Sequence, residues 1–505
     1  MPTAESLNTQ APDHRWGPPP GLRQQDFTKL CENGFGDGYN AYAYSMAWFE
    51  DAIYVGVGRA NLHLLKFAMP FVRMDVWPVE TPHENYTAEF ENHAARGEIW
   101  RGSPITNTWT RVFQSPMVQD TDGEWFSRDL GYRAMTIYQG KNDAKPALYV
   151  ATWSRSKSDG PLLLRSENGY DFDVLPKPAF ETLGRDLTFN AIRSLLPFKG
   201  RLFTAPVGAT KGNVNNSGTS LIYMSDDPAS GQWQCINPPG FGTFPAVATV
   251  YEMAVVGDWL YAGTGGLAGF EIYRSRAEGE APFEWEKVME NGAGRGALNQ
   301  GAVSMHEFNG DLYIGSGIQN GGFDWRNKIG PAAAEIVRLH PDNSWDIVCG
   351  NPRDGKQAIS GMGAGFGNFF AGYIWRMGVH DGWLYAGTMD WSVILQFTNM
   401  NERKMRLAQI MNQVGVDEYL DYQGGCEIWR TADGENWLPV TKRGFENPYN
   451  FGCRNLISTP HGLYVGTANP FGPRGAVCVD REKWEWTYTD NPRGGLEIWL
   501  GTRDG

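Results

Sequence analysis

The chain has 505 residues, 41% of them hydrophobic, with 62 glycines, 20 tryptophans, 21 tyrosines and 26 phenylalanines; it can bury a large core and is not a disordered or fibrous polymer. Acidic residues outnumber basic ones by 57 to 44, a formal charge of −13, so an electrostatic grip on nucleic acid or anionic lipid is not expected. No run of roughly 18 apolar residues suited to crossing a membrane occurs.

Met1 to Gly21 is polar and rich in proline, without the charged, apolar and small-residue order of a secretory signal. It is expected to be a flexible arm of a cytoplasmic protein. The six cysteines, Cys31, Cys235, Cys349, Cys426, Cys453 and Cys478, are scattered without a CxxC pair, which fits reduced thiols rather than a disulfide scaffold.

A first short strand is expected from Phe27 to Leu30, followed by Asn33-Gly34-Phe35-Gly36. From there a pattern of apolar, aromatic, apolar and small residues recurs, centred on Tyr54, Tyr149, Phe203, Tyr261, Tyr313, Tyr385 and Tyr464. Each copy follows another strand-like run containing Met46, Met135, Leu195, Met253, Met305, Met377 or Leu456, and most are separated from it by a turn such as Asn309-Gly310 or Asp381-Gly382. This is a β-hairpin repeated seven times.

A third run follows each hairpin, as in Glu98-Ile99-Trp100-Arg101, Glu335-Ile336-Val337-Arg338 and Glu427-Ile428-Trp429-Arg430. A fourth, with an aromatic and an apolar residue three apart, follows six of them: Trp109/Val112, Phe172/Leu175, Trp233/Ile236, Trp285/Val288, Trp345/Val348 and Trp437/Val440. The last third run, around Trp499, has no successor. Phe27 to Leu30 has the missing spacing, so the N-terminal strand is expected to complete the C-terminal sheet. The prediction is an all-β, seven-bladed β-propeller of four-stranded antiparallel blades in one domain, 22–505, with 1–21 as its arm. A solenoid of the same units is the alternative.

Thr431-Ala432-Asp433-Gly434-Glu435-Asn436-Trp437 resembles the Asp-box turn of sialidase-like propellers, with degenerate versions at Ser166-Glu167-Asn168-Gly169 and Ser225-Asp226-Asp227. Such turns are structural caps on hairpins. The resemblance implies a fold rather than a chemistry.

The connections between second and third strands carry the irregular sequence, including 57–97, 388–425 and 467–495. A site is therefore expected on that face. Within 388–425, Asn399 to Tyr422 predicts a helix, because Leu407, Ile410, Met411 and Val414 share one face. The insertions 57–97 and 388–425 are read as a lid over the channel mouth, with rim packing or contact between copies of the chain as the alternative.

One or two residues before the Met/Leu column, the innermost strands hold Arg133, Arg193, Glu252, Arg376 and Arg454, with Tyr44 or Ser45 and Ser304 at the corresponding places in blades one and five. Arginines converging near an axis suit a carboxylate, phosphate or halide, or else close the ring through glutamates and carbonyls. Asp390-Trp391 follows the sixth hairpin. A carboxylate beside an indole is a candidate base, and an Asx cap is its structural alternative. Tyr419 and Tyr422 end the same insertion and are expected to return over it.

An arginine, aspartate and tyrosine set in a propeller is similar to that of the cylindrocyclophane-forming alkylating cyclases. The resemblance implies a carboxylate that helps deprotonate a phenol-like ring while cationic and hydroxyl donors assist halide departure. The favoured reading is an enzyme acting on an aromatic or apolar small molecule that bears an anionic or leaving group, by alkylation, cyclisation or elimination. Asp390, Glu252 and Tyr422 are its catalytic candidates, with Arg133, Arg193, Arg376, Arg454, Trp391 and Tyr44 binding the substrate. A sialidase-like glycoside hydrolase and a non-catalytic peptide- or protein-binding scaffold are the alternatives. No cofactor is predicted, a structural ion in the channel is left open, and homo-oligomers through the insertions are the one protein partner considered. His83, Glu84, Glu89, Glu91 and His93 lie in one insertion, but without metal-site spacing they do not predict a metal.

Overall fold

The computed structural model describes residues 20–68, 74–82, 86–182, 184–208, 217–243, 249–404 and 406–503. The chain is mostly β. Its repeating element is a four-stranded antiparallel meander. In unit one the strands are Asn40–Phe49, Ala52–Arg59, Glu98–Ser103 and Thr108–Gln114, each paired with the next. Unit six repeats this with Ala371–His380, Trp383–Asp390, Ile428–Thr431 and Leu438–Thr441. The same ladder recurs in between as units two to five. The final unit joins Gly452–Thr459, Gly462–Ala468 and Ile498–Gly501 to the N-terminal strand Phe27–Cys31, with Phe27 opposite Gly501 and Lys29 opposite Trp499. The expected pairing of the two ends is therefore present.

The core lies between consecutive units. Tyr54 of unit one packs with Tyr132, Leu148 and Val150 of unit two, and its counterparts Tyr149, Tyr313, Tyr385 and Tyr464 are likewise fully buried. Each such ring contributes on the order of 2 kcal/mol by leaving water. The chain crosses from one unit to the next through turns in which Phe35, Phe241, Phe366 and Phe445 take left-handed φ of 56–62°. That conformation is strained for a non-glycine residue. Each ring is compensated by stacking on a third-strand aromatic: Trp100, Tyr273, Trp429 and Trp499, at 4.6, 4.0, 4.8 and 4.4 Å.

Among the described residues, six first strands slip register at the same place, two residues before the Met/Leu column. The residues left without a ladder partner are Tyr44, Arg133, Tyr251, Val303, Trp375 and Arg454. A bulge re-aims the side chain it carries. In unit three the strand is split, and Arg193 falls between Ala191–Ile192 and Leu196–Phe198. The next residue along has a different task. Ser45 Oγ donates to the Tyr132 carbonyl at 2.8 Å, Ser304 Oγ to that of Ile374 at 2.8 Å, and Asn455 Nδ2 to that of Ala43. First strands of neighbouring units are stitched in this way, including that of unit seven to that of unit one.

The insertion 57–97 contributes the helices Asn61–Ala68 and Ala88–His93. The expected single helix in 388–425 is two, Arg406–Val414 and Val416–Gln423, parted at Gly415 with φ of 87°. Its predicted apolar face also needs correction. Ala408 and Met411 are buried, whereas Ile410 and Val414 are about half exposed, so the packed stripe is narrower and lies one residue round. A hairpin not expected from the sequence, Arg474–Asp480 with Glu485–Asp490, occupies the third insertion. The three insertions share one core, in which Phe397 packs on Phe471 and Trp486, and Tyr488 Oη donates to the Trp77 carbonyl at 2.9 Å. No helix among the described residues is long and apolar enough to cross a membrane. The proposed arm lies mainly outside the described residues, but its last residue, Gly21, sits against Trp383 and Arg430, and Leu22 is buried.

Candidate functional site

The bulged column carries two kinds of side chain. Units seven, one, two and three contribute Arg454, Tyr44, Arg133 and Arg193; units four, five and six contribute Tyr251, Val303 and Trp375. Arg454 is 8% exposed. Its guanidinium carbon stands 5.3 Å from the centre of the Tyr44 ring and 5.4 Å from that of Trp375. Arg133 stands 5.8 Å from Tyr44 and 5.9 Å from Trp153, and Arg193 stands 4.6 Å from Tyr251.

These cations disturb one another. Burial, then Arg376, Arg193 and Arg133, push Arg454 down to about 9. Burial and Arg193 push Arg133 down to about 10. Both effects penalise the charged form. Nε of Arg454 has no hydrogen-bond partner, and no carboxylate lies within ion-pair distance of this guanidinium among the described residues. The Tyr44 hydroxyl, also buried, accepts a hydrogen bond from Asn61 Nδ2 at 2.9 Å. Burial raises the Tyr44 pKa, while Arg133 and Arg454 oppose the rise.

Arg376 and Glu252 belong to the stitching column rather than the bulged one, and they pair with each other at 3.0 Å. Half-buried His306 lies nearby; desolvation first, and Arg376 after it, hold its pKa low. The sequence expectation placed all four arginines in one class, and the register separates them.

Asp390 is fully buried elsewhere. Its Oδ1 accepts from the Ser392 amide and its Oδ2 from Asn368 Nδ2, both at 2.7 Å. The first of these is the Asx-type contact considered as its structural alternative. Burial pushes its pKa up to about 7, and no arginine of the cluster is among the groups acting on it. Trp391 packs edge-on against Phe323 and Phe370, with its indole Nε1 unpartnered. Tyr419 returns to this place, donating to Asn368 Oδ1 at 3.3 Å. Tyr422 does not: it is 75% exposed, because it lies on the outward side of its helix. The structure thus brings together Tyr44 and the arginines, and sets Asp390, Trp391 and Tyr422 apart from them.

Sequence reasoning missed Trp153, Tyr251, Trp375 and Asn61 as site residues. Tyr251 and Trp375 had a signal, since they stand two residues before the Met/Leu column. It also missed a repeated scaffold. A glutamate at the head of the third strand accepts hydrogen bonds from the turn between units: Glu98 from Asn40, Glu335 from Asn299 and Glu497 from Asn450. Position 390 is held by Arg59 in unit one and Asn469 in unit seven, which bond the turn asparagines Asn40 and Asn450.

Of the metal candidates, His83 and Glu84 lie outside the described residues. Glu91 is taken by Arg155 at 2.6 Å, and no metal-holding group of His, Cys, Asp and Glu occurs among the described residues. A cleft of about 430 Å³ lined by Arg201, Asp226 and Trp233 sits on the outer strands of unit three, away from the bulged column.

No family model matches the sequence, and no curated protein matches it. Among solved structures the chain is similar to an ancestral GH74 enzyme, with 11% identity and a TM-score of 0.44 over 91% of this chain and 47% of that one. It thus spans about half the length of that enzyme. It is also similar to the β-propeller domain of the Trilobed protease from Pyrococcus furiosus, at 8% identity and a TM-score of 0.39 over 85% and 90% of the two chains. A third likeness is to Trypanosoma rangeli sialidase in complex with sialic acid, at 12% identity and a TM-score of 0.35 over 88% and 69%.

Proposed function

We propose that the chain is a seven-bladed β-propeller, closed by the strand Phe27–Cys31 in its last blade, whose centre binds a small molecule carrying an oxyanion on an aromatic or apolar body. The observation that carries this reading is Arg454, a buried guanidinium with no acidic partner among the described residues. A buried charge left so is costly, and a bound carboxylate or phosphate removes the cost by two-pronged hydrogen bonding. Trp375 beside Arg454 and Tyr251 beside Arg193 supply the apolar faces that a ring would occupy.

An enzymatic role follows the same layout. Tyr44, flanked by two guanidiniums, and Glu252, beside Arg376, are the groups placed to move a proton; the arginines would hold charge that develops on a departing group. Alkylation, cyclisation or elimination with loss of an anion suits this better than glycoside hydrolysis by paired carboxylates, of which the bulged column contains none; sialidase-like hydrolysis, which uses a tyrosine nucleophile, is the alternative. Asp390 and Tyr422 have no part in this reading.

Calorimetric titration with benzoate and with phenyl phosphate tests it. Binding by the wild-type chain that is lost in Arg454→Gln supports the central site. Binding of neither probe would leave the non-catalytic scaffold as the better account.

A further inference from the structure

Unit six differs from its siblings in the charge around its repeated glutamate. Glu98 lies 2.8 Å from Arg111 and 3.3 Å from Arg59, Glu271 3.5 Å from Lys287, Glu335 2.9 Å from Arg353, and Glu497 3.3 Å from Lys29. Glu427 has no cation at such a distance among the described residues. It takes the neutral donors Asn368, Gln423 and Trp429 at 3.1, 2.6 and 2.7 Å. Where unit one has Arg59, unit six has a second carboxylate, Asp390, and Asn368 Nδ2 donates to both acids. The remaining titratable groups that face the pair are Tyr419 from the insertion helix, Cys426 beside it, Cys349 from unit five and, more distantly, Lys442.

Two of the groups gathered here belong to the helix Val416–Gln423. Tyr419 bonds Asn368, and Gln423 bonds Glu427. We propose that Asp390 and Glu427 hold one proton between them, and that the protonated pair clasps this helix to the sheet. When both are charged, two like charges are buried without a cation, and the helix is released.

The direction with pH follows from linkage. Burial pushes Asp390 up to about 7 and raises Glu427, whereas a carboxyl exposed by undocking returns to roughly 4. The docked state then binds the extra proton between those values. Docking is complete below about 4, weakens roughly tenfold per pH unit, and has been lost once pH has risen through about 7.

Hydrogen exchange of the full-length chain, corrected for intrinsic rates, tests the clasp at pH 5 and pH 7.5. Protection across residues 406–423 should fall by more than about tenfold between them, with sheet protection unchanged. Asp390→Asn copies the Asn469 of unit seven and should abolish the difference. Should that variant not fold, Gln423→Ala, which leaves both acids, should lower protection at pH 5 and shrink the change. Equal wild-type protection at the two pH values, or an undiminished pH response in Asp390→Asn or in Gln423→Ala, overturns the proposal.

Discussion

The guanidinium of Arg454 faces the ring of Tyr44 at 5.3 Å with no carboxylate to neutralise it among the described residues. If its purpose is to meet a ligand, it does not hold the empty protein together. Arg454→Met should therefore leave the unfolding free energy in urea unchanged or raise it by about 1–3 kcal/mol, as when other poorly compensated buried charges are replaced. A loss of several kcal/mol would make the residue structural.

The Glu252–Arg376 pair should behave in the opposite way. Glu252→Gln strands a partly buried guanidinium and is expected to cost about 1–3 kcal/mol. Adding Arg376→Met should recover part of that cost, with a coupling of about 0.5–3 kcal/mol in the double-mutant cycle. Additive effects would mean that the 3.0 Å contact contributes nothing.

Pairing of the N-terminal strand with the last one predicts a cooperative effect of truncation. Phe27–Cys31 is the outer partner of Ile498–Gly501, and Leu22 and Phe27 are buried against unit six and the Phe445 turn. Removal of residues 1–31 should lower the midpoint of a single thermal transition of the whole chain. A truncated protein that melts as the wild type does would deny the strand its role.

In the sixth outer turn, burial alone would raise the Asp433 pKa, but hydrogen bonds from Asn436, Glu435 and Thr431 outweigh it and hold it at about 2. A lowered value means that the stabilisation is present above the ordinary range near 3.8 and is lost as pH falls through about 2. Asp433→Ala should cost about 1 kcal/mol at neutral pH, and its stability should converge on that of the wild type toward pH 2. A constant gap across that range would show that the carboxylate charge is not what holds the turn.

Much of the fold was legible because each strand carries its own marker. The buried tyrosine of the second strand and the Met/Leu of the first recur at fixed spacing, and the spare Phe27-to-Leu30 spacing announced where the ends meet. The arginines were legible as residue types, and their places lay in an offset that was not used: Arg376 stands one residue before the Met/Leu column and Arg454 two, at the bulge. One pairs with Glu252 and the other faces Tyr44. Asp390 is ambiguous for a related reason: position 390 aligns with Arg59 and Asn469, which bond turn asparagines as Asp390 does. The Arg474–Asp480 hairpin was missed because strands of an insertion fall outside the repeat.

The most direct test is a crystal structure with 4-bromobenzoate, using anomalous scattering to find the bromine. The account predicts the carboxylate among Arg454, Arg133 and the Tyr44 hydroxyl, with the bromine toward Tyr251 and Trp375. A centre empty of ligand at saturating concentration, or a ligand seated only on the outer strands, would contradict it.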